Sequence, residues 1–317
     1  MNGKPVLLSG MKPTGTPHIG NYFGALKQWV DLQNAGEHDC YIMIADYHAL
    51  NFVQDAGKMQ ELTRELALTL LAIGLDPKRV TIFKQSDVPA HTELAWIFDT
   101  ITTMPYLERA HAYKDAEAKS KEISVGTFNY PMLMAADILL YDTKKVPVGQ
   151  DQKQHIEYAR DTAEKFNRIF GNTFTLPEPH IMPEVAVVPG TDGQKMSKSR
   201  GNIIPLFASR EELQKAVMGI VTDSSGERPQ NVYAIHRLIK SEKELSPIYG
   251  TNEGNYKALK EALIDDLDAF IDPMRHRYHD LLQEPDEIDG VLMHGAKKAR
   301  ERTEAKMQEV RKAIGVA

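Results

Sequence analysis

Val6-Leu7-Leu8-Ser9-Gly10-Met11-Lys12-Pro13-Thr14-Gly15-Thr16-Pro17-His18-Ile19-Gly20-Asn21 is the stretch that decides the fold. Three apolar residues read as a short strand ending at Ser9-Gly10. A Gly- and Pro-rich loop follows, and Tyr22 to Leu32 then carries helical spacing through Leu26, Trp29 and Val30. The alternation repeats outward. Tyr41 to Ala45 reads as a fully buried strand, and Met59 to Ile73 as an amphipathic helix stopped by Gly74. Asp76-Pro77 turns into the strand Val80-Thr81-Ile82-Phe83, and Pro89 opens a helix carrying Leu94, Ile97 and Phe98. Strand, helix, strand, helix implies an α/β, Rossmann-type parallel sheet covered on both faces. Ligands of such sheets lie at the carboxyl ends of the strands, near the topological switch point.

Beyond about residue 200 the strand signals fade, and Glu211–Val221, Val232–Lys240, Asn255–Leu282 and Val291–Ile314 read as helices. The expected organisation is therefore a catalytic domain over residues 1–200 and an α-helical domain over 201–317. The boundary falls in the loop around Lys195 to Pro205, with the C-terminal helix able to pack back on the catalytic domain. Thr222 to Pro229 is polar and reads as a connection. A chain of 317 residues exceeds the roughly 100–200 of one domain, and 42% hydrophobic with 26% charged residues suits a globular protein with a real core.

The single cysteine, Cys40, excludes an intramolecular disulfide and a multi-cysteine zinc site, and its apolar neighbours Tyr41 to Ile44 mark a buried thiol. Only four apolar residues precede Ser9, short of the roughly 7–15 of a secretory core, and no stretch reaches the ~20 needed for a membrane span. A cytoplasmic protein with no membrane partner is the expectation. The net charge of −6 argues against indiscriminate polyanion binding, although Lys297, Lys298, Arg300, Arg302, Lys306, Arg311 and Lys312 concentrate positive charge in the tail. That tail reads either as a solvated helix face with Glu–Lys pairing or as a phosphate-binding surface.

Neither G-x-G-x-x-G nor G-x-x-x-x-G-K-[ST] is present, so ordinary dehydrogenases and P-loop kinases lose ground. The first loop instead offers glycines that let a flat ligand approach, a helix N-terminus with free N–H groups, and His18 and Asn21 three residues apart. Taken alone it could equally be a plain strand–helix turn. Lys195-Met196-Ser197-Lys198-Ser199 is sharper: two lysines with hydroxyls between them sit among Gly190, Gly193 and Gly201. A loop of this kind suits a pyrophosphate leaving group, whose charge grows as the bond to the α-phosphorus breaks.

One face of a helix carries Tyr130, Met134, Asp137, Ile138 and Tyr141 at i, i+4, i+7, i+8 and i+11. Asp137 is a carboxylate within the apolar run Leu133 to Leu140, where it requires a donor. An indole N–H, a donor only, could supply one, as could backbone or a nearby lysine.

The two loops together resemble the signature pair of class I aminoacyl-tRNA synthetases. Pro17-His18-Ile19-Gly20-Asn21 resembles the HIGH motif, and Lys195 to Ser199 matches KMSKS at every position. Tyr130 to Tyr141 and Val146-Pro147-Val148-Gly149-Gln150-Asp151-Gln152-Lys153-Gln154-His155 further resemble the tryptophanyl-tRNA synthetase family. The resemblance runs from Ser9 to about Ser199 and more loosely to the C-terminus. It implies ATP binding by Lys12, Pro13, Thr14, Gly20, Asn21, Gly149, Gln150, Asp151, Val187 and Lys195 through Ser199. Lys195, Lys198, His18 and Asn21 are the implied catalytic residues. It implies a tryptophan pocket of Asp137, Tyr130, Met134, Val146, Val148, Gln152 and His48, with the indole N–H on Asp137.

Mg2+ would come with ATP, with no structural metal in the protein. The implied partners are L-tryptophan and tRNA(Trp), the implied state a homodimer, and the helical domain the reader of the anticodon. Three positions depart from the pattern. Asn21 ends the HIGH-like motif, Lys12 stands where some members carry glutamine, and the spacing from Met182 to Lys195 is unusual, which loosens the assignment of Val187.

The expected reaction is attack of the tryptophan carboxylate on the α-phosphorus of ATP, followed by transfer to the terminal ribose of tRNA. No protein nucleophile is required, so catalysis rests on positioning and electrostatics. Three other readings compete: tyrosyl-tRNA synthetase, a paralogue that binds tryptophan or tRNA without aminoacylating, and a nucleotidyltransferase sharing the HIGH motif. The unbroken pair of motifs and the helical half of the chain disfavour the last two.

Overall fold

A computed structural model of the chain describes residues 4–118, 122–143, 145–148, 153–181, 187–222 and 228–317. Strands β1 (Val6–Met11), β2 (Asp39–Ile44) and β3 (Val80–Lys84) form a parallel sheet in the order β1-β2-β3, with Val6 opposite Asp39 and Cys40 opposite Val80. Successive side chains along each strand point to opposite faces. Leu7, Cys40, Ile42, Ile44, Val80 and Ile82 enter one apolar cluster, while Val6, Leu8, Tyr41, Met43 and Phe83 enter another. Burial on both sides is why these strands read as continuous apolar runs.

A second parallel pair, β4 (Lys145–Val148) with β5 (Glu178–Ile181), packs beside β1. The chain therefore leaves β1 toward β2 and β3 on one side and returns to β4 and β5 on the other. At such a reversal Rossmann-type sheets bind their ligands, at the carboxyl ends of the strands. β4 and β5 were not legible in the sequence. Each has four residues, and Pro147 and Pro179 interrupt any strand pattern.

Helices cover both faces. The predicted helix after the first loop is in fact Ile19–Asn21, a π-helical turn Tyr22–Leu26 and then Lys27–Ala35. Ala56–Ala72 is capped by Asp55, which accepts from the Lys58 N–H at 2.7 Å. The other cluster collects the helices Ala90–Ile101, Val125–Leu139 and Lys153–Phe170.

The C-terminal third is helical: Arg210–Met218, Gln230–His236, Glu242–Thr251, Tyr256–Gln283 and Pro285–Ile314. Glu242–Thr251 escaped the sequence reading because Pro247 and Gly250 interrupt it, although the capping box of Ser241 and Glu244 marks its start. Leu213, Val217, Val232, Ile235, Leu263 and Leu267 share a cluster with Leu7 and Ile19, so apolar packing continues across residue 200.

The last helix crosses the edge of β3. Its Ile288 and Leu292 join one cluster, and Ala296, Ala299, Met307 and Val310 join the other. At the crossing point stands Gly295, where a Cβ would lie 1.8 Å from the Ile82 carbonyl oxygen. Most of the basic tail is spent on this docking. Arg300 donates to the Asp87 carbonyl and Arg302 to the Tyr141 carbonyl at 3.0 Å. Lys306 meets Asp142 at 3.0 Å, and Arg311 pairs with Glu93 at 2.7 Å as well as with Glu304 of its own helix at 2.7 Å. The phosphate-binding reading of the tail therefore loses these side chains. Among the described residues no helix is long and apolar enough to cross a membrane.

Candidate active site

The first loop leaves β1 at its carboxyl end and is pinned at its far end by the chain that follows the lysine-rich segment. Ile19 N–H donates to the Ile204 carbonyl at 3.0 Å, Leu206 N–H donates to the Pro17 carbonyl at 3.1 Å, and His18 bridges to Pro205. His18 itself is the N-cap. Its Nδ1 accepts from the Asn21 N–H at 3.3 Å, and its own N–H donates to Asn21 Oδ1 at 3.1 Å. The two polar residues that stood out in the motif thus close a reciprocal cap, which fixes the imidazole over the start of the helix.

The lysine-rich segment leaves a tight hairpin in which Met196 N–H donates to the Val188 carbonyl at 2.9 Å and Gly190 N–H to the Gln194 carbonyl at 2.6 Å. Asn202, buried, ties it together. Its Oδ1 accepts from the Ser197 N–H at 2.7 Å, while Nδ2 donates to Asp192 at 2.6 Å and to the Lys195 carbonyl at 3.2 Å. Sequence reasoning missed Asn202, whose side chain announces its partners by no spacing rule.

The two loops meet. The place a Cβ would occupy on Gly15 (φ 133°) lies 3.1 Å from Lys198 Nζ, and that of Gly20 lies 3.3 Å from Met196 Cβ. Lys198 accordingly shifts its neighbour: burial first and the Lys198 charge second push the His18 imidazole down to about 4, so it is neutral at pH 7. Burial also lowers Lys198 itself, with Glu65 pulling the other way. Lys195 is exposed beside it.

A separate polar centre lies behind the carboxyl ends of β2 and β3. Asp137, on the Val125–Leu139 helix, is only 4% exposed, yet three donors reach it. Gln85 Nε2 at 2.8 Å and His91 Nδ1 at 2.6 Å meet Oδ1, and His48 Nε2 at 2.9 Å meets Oδ2. Burial raises its pKa, but the hydrogen bonds from His48 and His91 and the electrostatic pull of their rings outweigh it, so the carboxyl stays below its ordinary range. Three bonds answer the burial problem with histidines and a glutamine, where backbone or lysine had been the alternatives. A carboxylate has about four acceptor sites, and among the described residues three donors reach this one, with one site on Oδ2 not engaged. Tyr130 packs edge-on to His48, ring centres 6.2 Å apart, and its hydroxyl lies 3.3 Å from His155 Nδ1. Met134 is half-buried one turn before Asp137. Gln85 and His91 were missed, although each sits just beyond the carboxyl end of β3, where such folds place ligands.

The remaining positions divide. Gly149, Gln150, Asp151 and Gln152 lie outside the described residues; Val146 and Val148 are placed by backbone register on β4, opposite Pro179 and Ile181. Val187 is 65% exposed, just before the hairpin. Pro13 is buried and Thr14 exposed in the first loop. Lys12 points its ammonium at the Phe52 ring, 4.6 Å from the centroid.

The chain as a whole is similar to known proteins. The model of the class I tRNA synthetases (W and Y) fits residues 1–304. The chain belongs to that family. It is 45% identical to the tryptophan–tRNA ligase of Fusobacterium nucleatum over 98% of this chain and 97% of that protein. Its fold matches that of the Campylobacter jejuni tryptophanyl-tRNA synthetase complexed with ADP and tryptophan. That match has a TM-score of 0.90 and 43% identity, covering 98% of this chain and 99% of the other. The Mycoplasma pneumoniae tryptophanyl-tRNA synthetase follows at 25% identity and TM-score 0.86, each chain 99% covered. Within the class I synthetases, these likenesses over nearly full length put the chain in the tryptophanyl-tRNA synthetase branch, and its parallel sheet is the Rossmann-type sheet of that class.

Proposed function

We propose that this class I synthetase activates L-tryptophan with Mg-ATP and transfers it to tRNA(Trp). The observation that carries the reading is the meeting of the two loops, with Lys198 Nζ against Gly15, in a chain that also buries the Asp137–His48 pair. A triphosphate held between these loops would have Lys195 and Lys198 at its β- and γ-phosphates. Gly20 and Asn21 would bound the nucleotide side together with Lys12, Pro13, Thr14, Gly149, Gln150, Asp151 and Val187.

The chemistry asks for fixed charge and little else. The carboxylate of tryptophan attacks the α-phosphorus, pyrophosphate leaves, and tryptophanyl-adenylate remains; the terminal ribose hydroxyl of tRNA then takes the aminoacyl group and releases AMP. His18, neutral and accepting at Nδ1, carries its proton on Nε2, and so offers a donor to a phosphate without adding a charge. The lysines supply the positive charge that grows in value as pyrophosphate departs. In the amino-acid pocket the open site on Asp137 takes the indole N–H, with Tyr130, Met134, Val146, Val148, Gln152 and His48 around the ring. Among the described residues no three His, Cys, Asp or Glu side chains gather into a metal site, and Mg2+ enters on the triphosphate. A cytoplasmic homodimer with a helical anticodon reader over 201–317 completes the reading by family likeness.

Tryptophan-dependent ATP–pyrophosphate exchange tests it. Lys198→Ala is expected to lower exchange turnover by about two to three orders of magnitude, the loss seen when one transition-state donor is removed. Tryptophan affinity should hardly change. Exchange at the unmodified rate would remove the lysine loop from the chemistry.

A further inference from the structure

We propose that His91, seconded by Gln85, is a positioning residue for amino-acid recognition: it locks the Asp137 carboxylate so that its one open acceptor site faces the indole N–H. The inference rests on the reading of Asp137 as the indole acceptor. His91 is fully buried in the first turns of the Ala90–Ile101 helix, so no substrate reaches it. Its Nδ1 lies 2.6 Å from Asp137 Oδ1, and its Nε2 lies 3.1 Å from the Tyr141 hydroxyl.

The ionised carboxylate can only accept, so Nδ1 carries the proton. Nε2 then accepts from the Tyr141 O–H, and burial first and Asp137 second hold that phenol well above its ordinary range, so it keeps its proton. The tautomer is fixed from both ends. The ring is also held by its walls: it stacks on Phe83 at 6.2 Å between centres and 25° between planes, and leans on Tyr141 at 5.7 Å. Tyr141 is anchored in turn through its carbonyl by Arg302 of the last helix.

Among the described residues, Gln85 and His91 together fill both acceptor sites of Oδ1. The carboxylate cannot rotate without leaving two buried donors unpaired, each costly to strand. Oδ2 is left with His48 and one open site, on the side where the His48 and Tyr130 rings meet. His91 and Gln85 also offset the cost of burying the carboxylate, yet an alanine here would pack with no donor at all. A retained charge held at three acceptor sites presents the fourth in one fixed direction.

Pyrophosphate exchange on the full chain, with tryptophan and with β-(3-benzothienyl)alanine, separates positioning from packing. The analogue has the same shape and sulfur in place of N–H. His91→Leu is expected to lower kcat/KM for tryptophan about 10- to 100-fold, chiefly through KM, because one buried bond to a charged group is lost. The analogue and ATP should change by no more than about twofold, so preference for tryptophan collapses. His91→Asn, which keeps an N–H near the same place, should recover most of the loss.

Equal loss for both amino acids, or no loss, would overturn the proposal. Should His91→Leu not fold, the 15N spectrum of the unmodified, histidine-labelled protein decides: a proton on Nδ1 of His91 supports it, and a bare Nδ1 with the proton on Nε2 overturns it. Absence of tryptophan-dependent exchange in the unmodified chain would remove the functional reading itself, and the proposal with it.

Discussion

Asn202→Ala tests how the lysine loop is held. The side chain bonds the Ser197 N–H at 2.7 Å and the Lys195 carbonyl at 3.2 Å, fixing the backbone on both sides of Met196. The third bond, to Asp192 at 2.6 Å, ends on an exposed carboxylate that water can serve instead. At about 0.5–1.5 kcal/mol for each of the two backbone bonds, the loop loses about 1–3 kcal/mol of local order, or about 5- to 150-fold in the population of the placed loop. If the chemistry needs that placement, exchange turnover at saturating tryptophan falls by the same factor. Tryptophan binding by calorimetry stays as it was, because Asp137 and His48 share no partner with Asn202. Turnover within about twofold of the unmodified enzyme, with melting unchanged, would refute the reasoning, for it would mean that the loop is ordered without its buried tie.

Two further outcomes follow from single sites. Gly295→Ala puts a methyl 1.8 Å from the Ile82 carbonyl oxygen, and forcing the last helix off β3 should cost about 3 kcal/mol and lower the melting temperature by about 6–12 °C; an unchanged calorimetric melting temperature would show that the helix does not need this close approach. His18 should titrate by NMR at about 4. Between about 6.5 and 4 the unfolded imidazole binds a proton that the folded one refuses, so this group's contribution to stability is full above 6.5 and declines as pH falls through that window. A midpoint near 6.5 would contradict the burial and the nearby Lys198 charge.

The three central strands were legible because both faces of their sheet are buried and the apolar runs are bounded by Gly and Pro. The strands β4 and β5 were not, since pairing beside β1 overrides the local preference of four residues that include a proline. The lysine loop was legible because its chemistry is concentrated in five consecutive residues. Asn202 was not, because its partners are set by a hairpin that only folding brings together. Asp137 stood out as a charge in an apolar run, whereas the answer to that charge, His91 and Gln85, lies 46 and 52 residues away and is joined to it only by the packing of its helix on the end of β3 and the helix that follows. The tail shows the opposite failure: its positive charge was easy to read, but its partners Asp87, Tyr141, Asp142 and Glu93 were invisible until the helix crossed the sheet.

The most direct test is a crystal structure with tryptophan and a non-hydrolysable ATP analogue. The account predicts the triphosphate between Gly15–Asn21 and Lys195–Ser199, Lys198 Nζ in contact with it, and the indole nitrogen within hydrogen-bond distance of Asp137 Oδ2. A triphosphate bound away from either loop, or an indole nitrogen with a partner other than Asp137, would contradict it.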